Sequence, residues 1–285
     1  MRIQRNPHLL QQELIEEKRS GKIIGFVPTM GALHQGHTSL MDVARPKCDI
    51  LVCSIYVNPL QFAPNEDLDK YPNTPESDHQ LCAAHGVDIV FRPTELYAQG
   101  HSTFVSVQQL TSGLCGASRP THFDGVTTVV ARLFGLVQPD IAVFGQKDYQ
   151  QLAVIRRMAQ DLALPVEVIG APIVRDHDGL ALSSRNVYLS PQNRQRALSL
   201  SKTLQWIQCT AQDTIEPLNV PHLCTKAQAF LDIDRLDYLE IVDPDSLEPL
   251  EILNQPARAL VAAVVGGTRL IDNLSIQPNR KGMKS

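Results

Sequence analysis

Two histidines flanking a glycine, His34-Gln35-Gly36-His37, close the stretch Val27-Pro28-Thr29-Met30-Gly31-Ala32-Leu33. Imidazole N–H groups at this spacing can donate to phosphate oxygens, and positive charge beside them favours the negative charge that phosphoryl chemistry develops. Gly31 and Gly36 permit close backbone approach to a ligand where a Cβ would collide. An apolar run, Ile23-Ile24-Gly25-Phe26-Val27, precedes the stretch, and an amphipathic segment beginning Ser39-Leu40-Met41 follows it. Strand, loop and helix start together present backbone N–H groups and a positive dipole end to an anion. Met30, Gly31, Ala32, Leu33, His34, Gln35, Gly36 and His37 are therefore candidate nucleotide contacts. No G-x-x-x-x-G-K-[ST] is present, so the site is not of the Walker type. Two surface histidines or a zinc pair are the other readings. A loop spacing without a nearby carboxylate or thiolate disfavours zinc.

Three further segments carry polar chemistry. Asn58-Pro59-Leu60-Gln61-Phe62 offers two amides, though Asn58 and Gln61 could merely close a turn after Pro59. Gly145-Gln146-Lys147-Asp148-Tyr149-Gln150-Gln151 places a lysine at a predicted helix start, where its charge opposes the dipole unless an anion is bound. Asp148 could serve there as an N-cap. Asp178-Gly179-Leu180-Ala181-Leu182-Ser183-Ser184-Arg185-Asn186 sets two hydroxyls beside a guanidinium, a set able to hold a polyphosphate. A helix cap or an ST-turn explains the same serines. The segment gains specificity from its pairing with the histidine loop.

These segments fall at the ends of elements. Helical spacing of Leu9, Leu10, Leu14 and Ile15 predicts a first helix, and apolar runs predict strands at 23–27, 50–57, 87–91, 141–145 and 166–169. Helices are expected at 74–86, 126–137 and 150–162. Short apolar strands alternating with helices indicate an α/β, Rossmann-like parallel sheet with helices on both faces. Ligands in that architecture sit outside the carboxyl ends of strands, so the segments after the strands at 23–27, 50–57 and 141–145 face one edge. After about Ile173 the texture becomes α+β, with helices at 191–212 and 222–231 and strands at 236–242 and 259–264. We therefore expect a nucleotide- and substrate-binding domain over 1–172 and a smaller α+β lid domain over 173–285. The polar residues 277–285 are expected to be loose.

The composition excludes several classes. Apolar residues at 43% and charged residues at 20% describe an ordinary soluble globule. A net charge of −4, from 26 basic against 30 acidic side chains, leaves no electrostatic footprint for nucleic acid. No signal core and no segment long enough to span a bilayer are present. Six dispersed cysteines without a C-x-x-C pair point to small buried apolar residues in a reduced, cytoplasmic setting, and away from disulfides or zinc.

The pairing of His34-Gln35-Gly36-His37 with Leu182-Ser183-Ser184-Arg185 resembles the nucleotidyltransferase superfamily, whose fold class I aminoacyl-tRNA synthetases share. Within it the chain is most similar to the pantoate–β-alanine ligase family. The matching residues include Val27-Pro28-Thr29-Met30-Gly31, Val57-Asn58-Pro59-Leu60-Gln61-Phe62, Tyr71-Pro72 and Arg119-Pro120-Thr121-His122-Phe123-Asp124-Gly125-Val126. Phe144-Gly145-Gln146-Lys147-Asp148, residues 178–186 and Arg269-Leu270-Ile271-Asp272-Asn273 complete the match. The family commonly has glutamate where this chain has Gln146.

The resemblance implies ATP-dependent ligation of pantoate and β-alanine through a pantoyl adenylate, with Mg2+ on the ATP phosphates. It implies catalytic roles for His34, His37, Lys147 and Arg185. It places the nucleotide against residues 30–37, Gly145, Gln146, Lys147, Asp148, Val174, Leu182, Ser183, Ser184 and Arg185. Gln61, Gln151, Asn58 and His122 are implied on pantoate or β-alanine, and a homodimer is the implied assembly. A transferase of AMP or CMP to a phosphorylated alcohol would call for another basic side chain near Asn58 and Gln61. A non-catalytic nucleotide sensor would bind ATP without β-alanine-dependent AMP release. An aminoacyl-tRNA synthetase would need a basic anticodon-binding module, which the sequence lacks.

Overall fold

A six-stranded, wholly parallel sheet organises the amino-terminal part of the computed structural model, which describes residues 1–63 and 68–279. Its elements are β1 (Arg2–Gln4), α1 (Pro7–Arg19), β2 (Ile24–Thr29), α2 (Gln35–Ala44), β3 (Ile50–Ile55), α3 (Pro75–Ala84) and β4 (Ile89–Phe91). They continue as α4 (Leu114–Ser118), α5 (His122–Val137), β5 (Ile141–Gly145), α6 (Tyr149–Asp161) and β6 (Glu167–Ala171). The strand order is β1-β4-β3-β2-β5-β6, so the chain reverses direction across the sheet between β2 and β5. That reversal is the topological switch at which such sheets take ligands. The β2–β3 ladder runs to Thr29↔Ile55, whereas β2 meets β5 only at Gly25↔Ile141 and Phe26↔Ala142. Pro28 has no N–H to donate and lies where the β5 ladder has already ended. The two strands part there, directly before residues 30–37.

Burial explains the continuous apolar strands: every residue of β3 is buried. On one face Val27, Cys53 and Val143 pack with Leu40, Met41 and Ala44 of α2 and Cys82 of α3. On the other, the Phe134 ring of α5 lies edge-on to Phe26 and Phe144, at centroid distances of 6.3 and 6.4 Å. The α/β reading from sequence therefore holds.

The carboxy-terminal elements are α7 (Pro191–Asp213), β7 (Leu218–Asn219), α8 (Val220–Gln228), β8 (Arg235–Val242), β9 (Ile252–Leu253), β10 (Ala257–Val265) and β11 (Thr268–Ile276). β8, β10 and β11 form an antiparallel sheet in the order β11-β10-β8, and α7 packs on β10 and β11 over Leu200, Leu204 and Ile207. Contacts divide the chain into one unit of Met1–Thr111, Arg119–Gln146 and Gln151–Val174, and a second of Ser112–Ser118, Lys147–Gln150 and Arg175–Ser285.

Several sequence expectations change. Residues 2–4 form a parallel edge strand on β4, too short to show a period. Arg269-Leu270-Ile271-Asp272-Asn273 lies on a third strand, whose alternation is broken by the buried polar pair Asp272 and Asn273. α5 begins at His122, four residues before the first long apolar run. Residues 277–279 are tied down rather than loose: Gln277 N donates to Gln208 Oε1 at 3.0 Å and Asn279 N to the Ala211 carbonyl at 3.0 Å. Residues 280–285 lie outside the described residues. All six cysteines are free, but Cys209 is exposed and Cys48 half-buried, so only four behave as core residues.

Candidate active site

In the first unit, candidate residues stand on the turn after β2. Thr29 Oγ1 donates to the Ser54 carbonyl at 2.8 Å and accepts from Gly31 N at 3.3 Å. The chain then turns through Gly31 at φ +87° and Ala32 at φ +49°. A Cβ at position 31 would stand 3.0 Å from Asp78 Oδ2 and 3.1 Å from Ile55 Cγ2, so glycine is needed for space as well as for backbone angle. The turn is held from beneath by Asp78, only 2% exposed. Its carboxylate accepts from Ala32 N at 3.1 Å, Leu33 N at 2.8 Å and Thr74 Oγ1 at 3.0 Å. Sequence reasoning missed Asp78, because an acidic residue in the first turn of α3 looks like an ordinary dipole partner.

α2 starts inside the segment expected to be loop, and its two histidines cap it reciprocally. His34 is the N-cap, its Nδ1 accepting from Gly36 N at 3.1 Å, while His37 Nδ1 accepts from His34 N at 3.3 Å. This is a capping box built from imidazoles. An Nδ1 that accepts a backbone N–H carries no proton, so in each ring the proton sits on Nε2. The ring centroids lie 4.1 Å apart, with the rings tilted by 39°. Gly36 belongs to the first helical turn rather than to a ligand-hugging loop.

The turn after β3 is joined to this one. Gln61 Nε2 lies 2.9 Å from Met30 Sδ, and Gln61 Oε1 accepts from Asn58 Nδ2 at 3.3 Å. Asn58, 1% exposed, also donates to the Gly125 carbonyl at 3.0 Å and accepts from the Tyr97 hydroxyl at 2.9 Å. Its amide is therefore turned inward to hold Gln61. A Cβ on Gly125 would sit 2.3 Å from the Leu60 carbonyl oxygen, so only glycine lets α5 pass beneath residues 58–61. Arg119 donates through NH1 to His122 Nε2 at 3.1 Å, which makes that nitrogen the acceptor. His122 Nδ1–H then donates to the Gln61 carbonyl at 2.8 Å. His122 thus supports the Gln61 backbone, assisted by Arg119, to which the sequence reading gave no role.

At the end of β5, Gln146 Nε2 donates to the Gly170 carbonyl of β6 at 3.1 Å. A glutamate carboxylate could not donate that bond, which gives a physical reason for glutamine here. Gln151 is half-buried in the first turn of α6, and Val174 is half-buried after β6.

The second unit carries the remaining candidates. Lys147 Nζ stands 3.8 Å from Asp148 Oδ2, a loose pairing, and the Lys147 side chain is 22% exposed. Asp148 ends the 3-10 turn Gln146–Asp148 that leads into α6. Residues 175–181 form a tight turn around Gly179, closed by the Arg175↔Ala181 bridge and a 2.8 Å bond from Asp176 N to the Leu180 carbonyl. Arg194 ties Asp176 and Asp178 together at 2.7 and 2.9 Å. The His177 contacts and the Arg194 guanidinium hold the Asp176 carboxyl down to about 2. Ser183 does cap the 3-10 turn Ser184–Tyr188, its Oγ accepting from Arg185 N at 3.3 Å. An accepting hydroxyl still has its own proton to donate, so capping and phosphate binding are compatible. Leu182, Ser184 and Arg185 are half-buried beside it.

Among the described residues no cluster of three His, Cys, Asp or Glu side chains could hold a metal ion. The donor set is cationic and neutral, which suits phosphate oxygens and amides.

Comparison with known proteins gives a consistent picture. The family model for pantoate-beta-alanine ligase matches residues 2–275. The pantothenate synthetase of Heliobacterium modesticaldum is 51% identical over 269 residues, covering 92% of this chain and 94% of that one. That of Maridesulfovibrio salexigens is 47% identical over 278 residues, covering 95% and 98%. Among solved structures, pantothenate synthetase from Thermus thermophilus superposes with a TM-score of 0.91 at 46% identity, covering 98% of this chain and 100% of that one. The pantoate-beta-alanine ligase of Francisella tularensis, solved with beta-gamma ATP and beta-alanine, gives 0.78 at 33% identity, covering 96% and 97%.

Proposed function

The chain belongs to the pantoate–β-alanine ligase family, and from that premise and the site geometry we infer how its residues divide the work. The enzyme joins pantoate to β-alanine with ATP, giving pantothenate, AMP and pyrophosphate. In the first step a pantoate carboxylate oxygen bonds to the α-phosphorus of ATP, and the bond to the bridging oxygen breaks as pyrophosphate leaves. In the second the β-alanine amine bonds to the acyl carbon of pantoyl adenylate, AMP departs, and the amine gives up a proton.

Both steps move negative charge over phosphate oxygens, so positioned donors and cations are the main requirement. The observation that carries the assignment is the imidazole capping box, which commits each Nδ1 to the backbone, places the proton of each ring on Nε2 and fixes both rings at the start of α2. His34 and His37 are assigned to the phosphates of ATP, with the turn at Met30, Gly31, Ala32 and Leu33 beside the nucleotide. Lys147, Ser183, Ser184 and Arg185 are assigned to phosphate as cation and hydroxyl donors, and Gly145, Asp148 and Val174 to the nucleotide. Gln61 and Gln151 are assigned to pantoate, whose hydroxyls and carboxylate match an amide. Asn58 and His122 act by fixing Gln61. Magnesium bound to ATP would supply charge neutralisation to the phosphates alongside these donors. No enzyme nucleophile is required, because the adenylate is already activated.

Among the described residues no helix is long and apolar enough to cross a membrane. Six free thiols support a reduced, cytoplasmic setting, and a homodimer is the assembly the family suggests. The test is release of pyrophosphate and AMP from ATP and pantoate. Pyrophosphate should appear in a stoichiometric burst without β-alanine, and AMP should turn over only with it. Formation of ADP, or AMP turnover indifferent to β-alanine, would sink the reading.

A further inference from the structure

The segment Arg269-Leu270-Ile271-Asp272-Asn273 has no role in the scheme above, yet it buries two polar residues on β11. Asp272 is 4% and Asn273 1% exposed, and Arg258 beside them on β10 is 8% exposed. Burying such groups costs several kcal/mol each unless every polar atom is matched. The chain of bonds they make is specific. Arg175 grips Asp272 with two bonds, at 2.7 and 2.9 Å, and also donates to the Gly179 carbonyl at 3.1 Å. Asp272 Oδ1 accepts from Asn273 N at 2.7 Å. Asn273 Oδ1 accepts from Arg258 Nε at 2.8 Å, and Asn273 Nδ2 donates to the Lys147 carbonyl at 2.8 Å.

Arg258 fixes which way the Asn273 amide faces, since a guanidinium can only donate and so selects the oxygen. The NH2 group is thereby aimed at the Lys147 backbone. The guanidinium carbon of Arg258 lies 4.2 Å from the centroid of the Tyr149 ring, and the Tyr149 hydroxyl donates to the Pro244 carbonyl at 3.1 Å. β11 also packs against the turn Ser184–Tyr188. One strand thus anchors the Lys147 backbone, the 175–181 turn and the serine–arginine segment.

We propose that Asn273, oriented by Arg258 and backed by the Asp272–Arg175 pair, is a positioning residue that fixes the Lys147 backbone and so aims its ammonium in adenylate formation. The proposal rests on the assignment of Lys147 to phosphate. A displacement of about 1 Å at such a group is worth up to about a hundredfold in rate. Asn273→Asp is the informative change, because it keeps an acceptor for Arg258 and replaces the donor to the Lys147 carbonyl by an oxygen that repels it, at the cost of a carboxyl group beside Asp272.

The pyrophosphate burst rate at saturating ATP and pantoate should fall at least about tenfold in Asn273→Asp. ATP affinity, measured with a non-hydrolysable analogue, should change less than about threefold, and both readings are taken at a temperature well below the thermal midpoint of the variant, where it is fully folded. Asn273→Gln, which can still donate, should recover part of the rate if the extra methylene is accommodated. In the Lys147→Ala background, Asn273→Asp should add less than about twofold, because there is no ammonium left to aim. A burst within twofold of the parent, losses that multiply in the double variant, or a fall in ATP affinity matching the fall in rate would overturn the proposal. A normal burst in Lys147→Ala alone would instead overturn the assignment of Lys147, and the proposal with it.

Discussion

Asp78 offers the sharpest test of how the first loop is built. Replacing it by asparagine keeps the shape but turns one of the two oxygens into an NH2 group. The carboxylate accepts from Ala32 N and Leu33 N at 3.1 and 2.8 Å and from Thr74 Oγ1 at 3.0 Å. Asparagine can satisfy the donors on one side only: its NH2 faces either Ala32 N or Leu33 N, and in the second case the Thr74 hydroxyl as well. Hydrogen bonds to a charged acceptor contribute about 1.5–3 kcal/mol each, and a stranded buried N–H costs about 1–3 kcal/mol. With one or two bonds lost at a site 2% exposed, the expected destabilisation is about 2–4 kcal/mol. For a unit of this size that is a fall of roughly 5–15 °C in thermal midpoint.

The rate should fall further than stability alone explains. The two backbone N–H groups that Asp78 holds directly precede the His34 cap, and Ala32 sits at φ +49°, a conformation that needs external support. Release of the turn shifts both imidazoles, and a loss of about a hundredfold in burst rate is expected at a temperature where the variant is fully folded. Amide exchange at Ala32 and Leu33 should accelerate while exchange in β3 stays slow. A variant with a parental burst rate and unchanged exchange at these amides would refute the reasoning.

His37→Asn retains an oxygen where Nδ1 accepts from His34 N, so it should fold within about 1 kcal/mol of the parent while losing roughly a hundredfold or more in adenylate formation, read by the pyrophosphate burst. Gly125→Ala places a Cβ 2.3 Å from the Leu60 carbonyl and must displace residues 58–61; KM for pantoate should rise more than KM for ATP. The Asp176 carboxyl, held at about 2 in the folded protein against an ordinary 3.8, contributes stability that is complete at neutral pH and is lost as pH falls from about 4 through about 2. Acid unfolding of Asp176→Asn should lack that component, and an unchanged acid limb would count against it.

The parallel sheet was readable from the chain because buried strands leave continuous apolar runs, as in residues 50–55. The histidine pair stood out as a pattern, yet its capping geometry was hidden, because imidazole is an uncommon N-cap and the pair suggested a loop. Asp78 was not found by pattern, and Asn273 was read only as part of a family motif, without a role. Each acts on backbone far away in sequence, by 45 or 46 residues for Asp78 and 126 for Asn273. Asn58 and His122 were expected on pantoate or β-alanine, and their hydrogen bonds turn them toward Gln61. β11 escaped because the two buried polar residues that make it interesting also break the alternation that would reveal a strand.

The interleaving of the two units has a practical corollary for anyone dissecting this gene. A fragment ending after Val174 would keep residues 112–118 and 147–150 but leave behind their partners, among them the Pro244 carbonyl for Tyr149 and the Asn273 amide for Lys147. Neither half is a bead that can be unstrung. Domain-swapped chimeras with a sister protein should therefore exchange those two short inserts together with the carboxy-terminal half, or they will inherit mismatched seams.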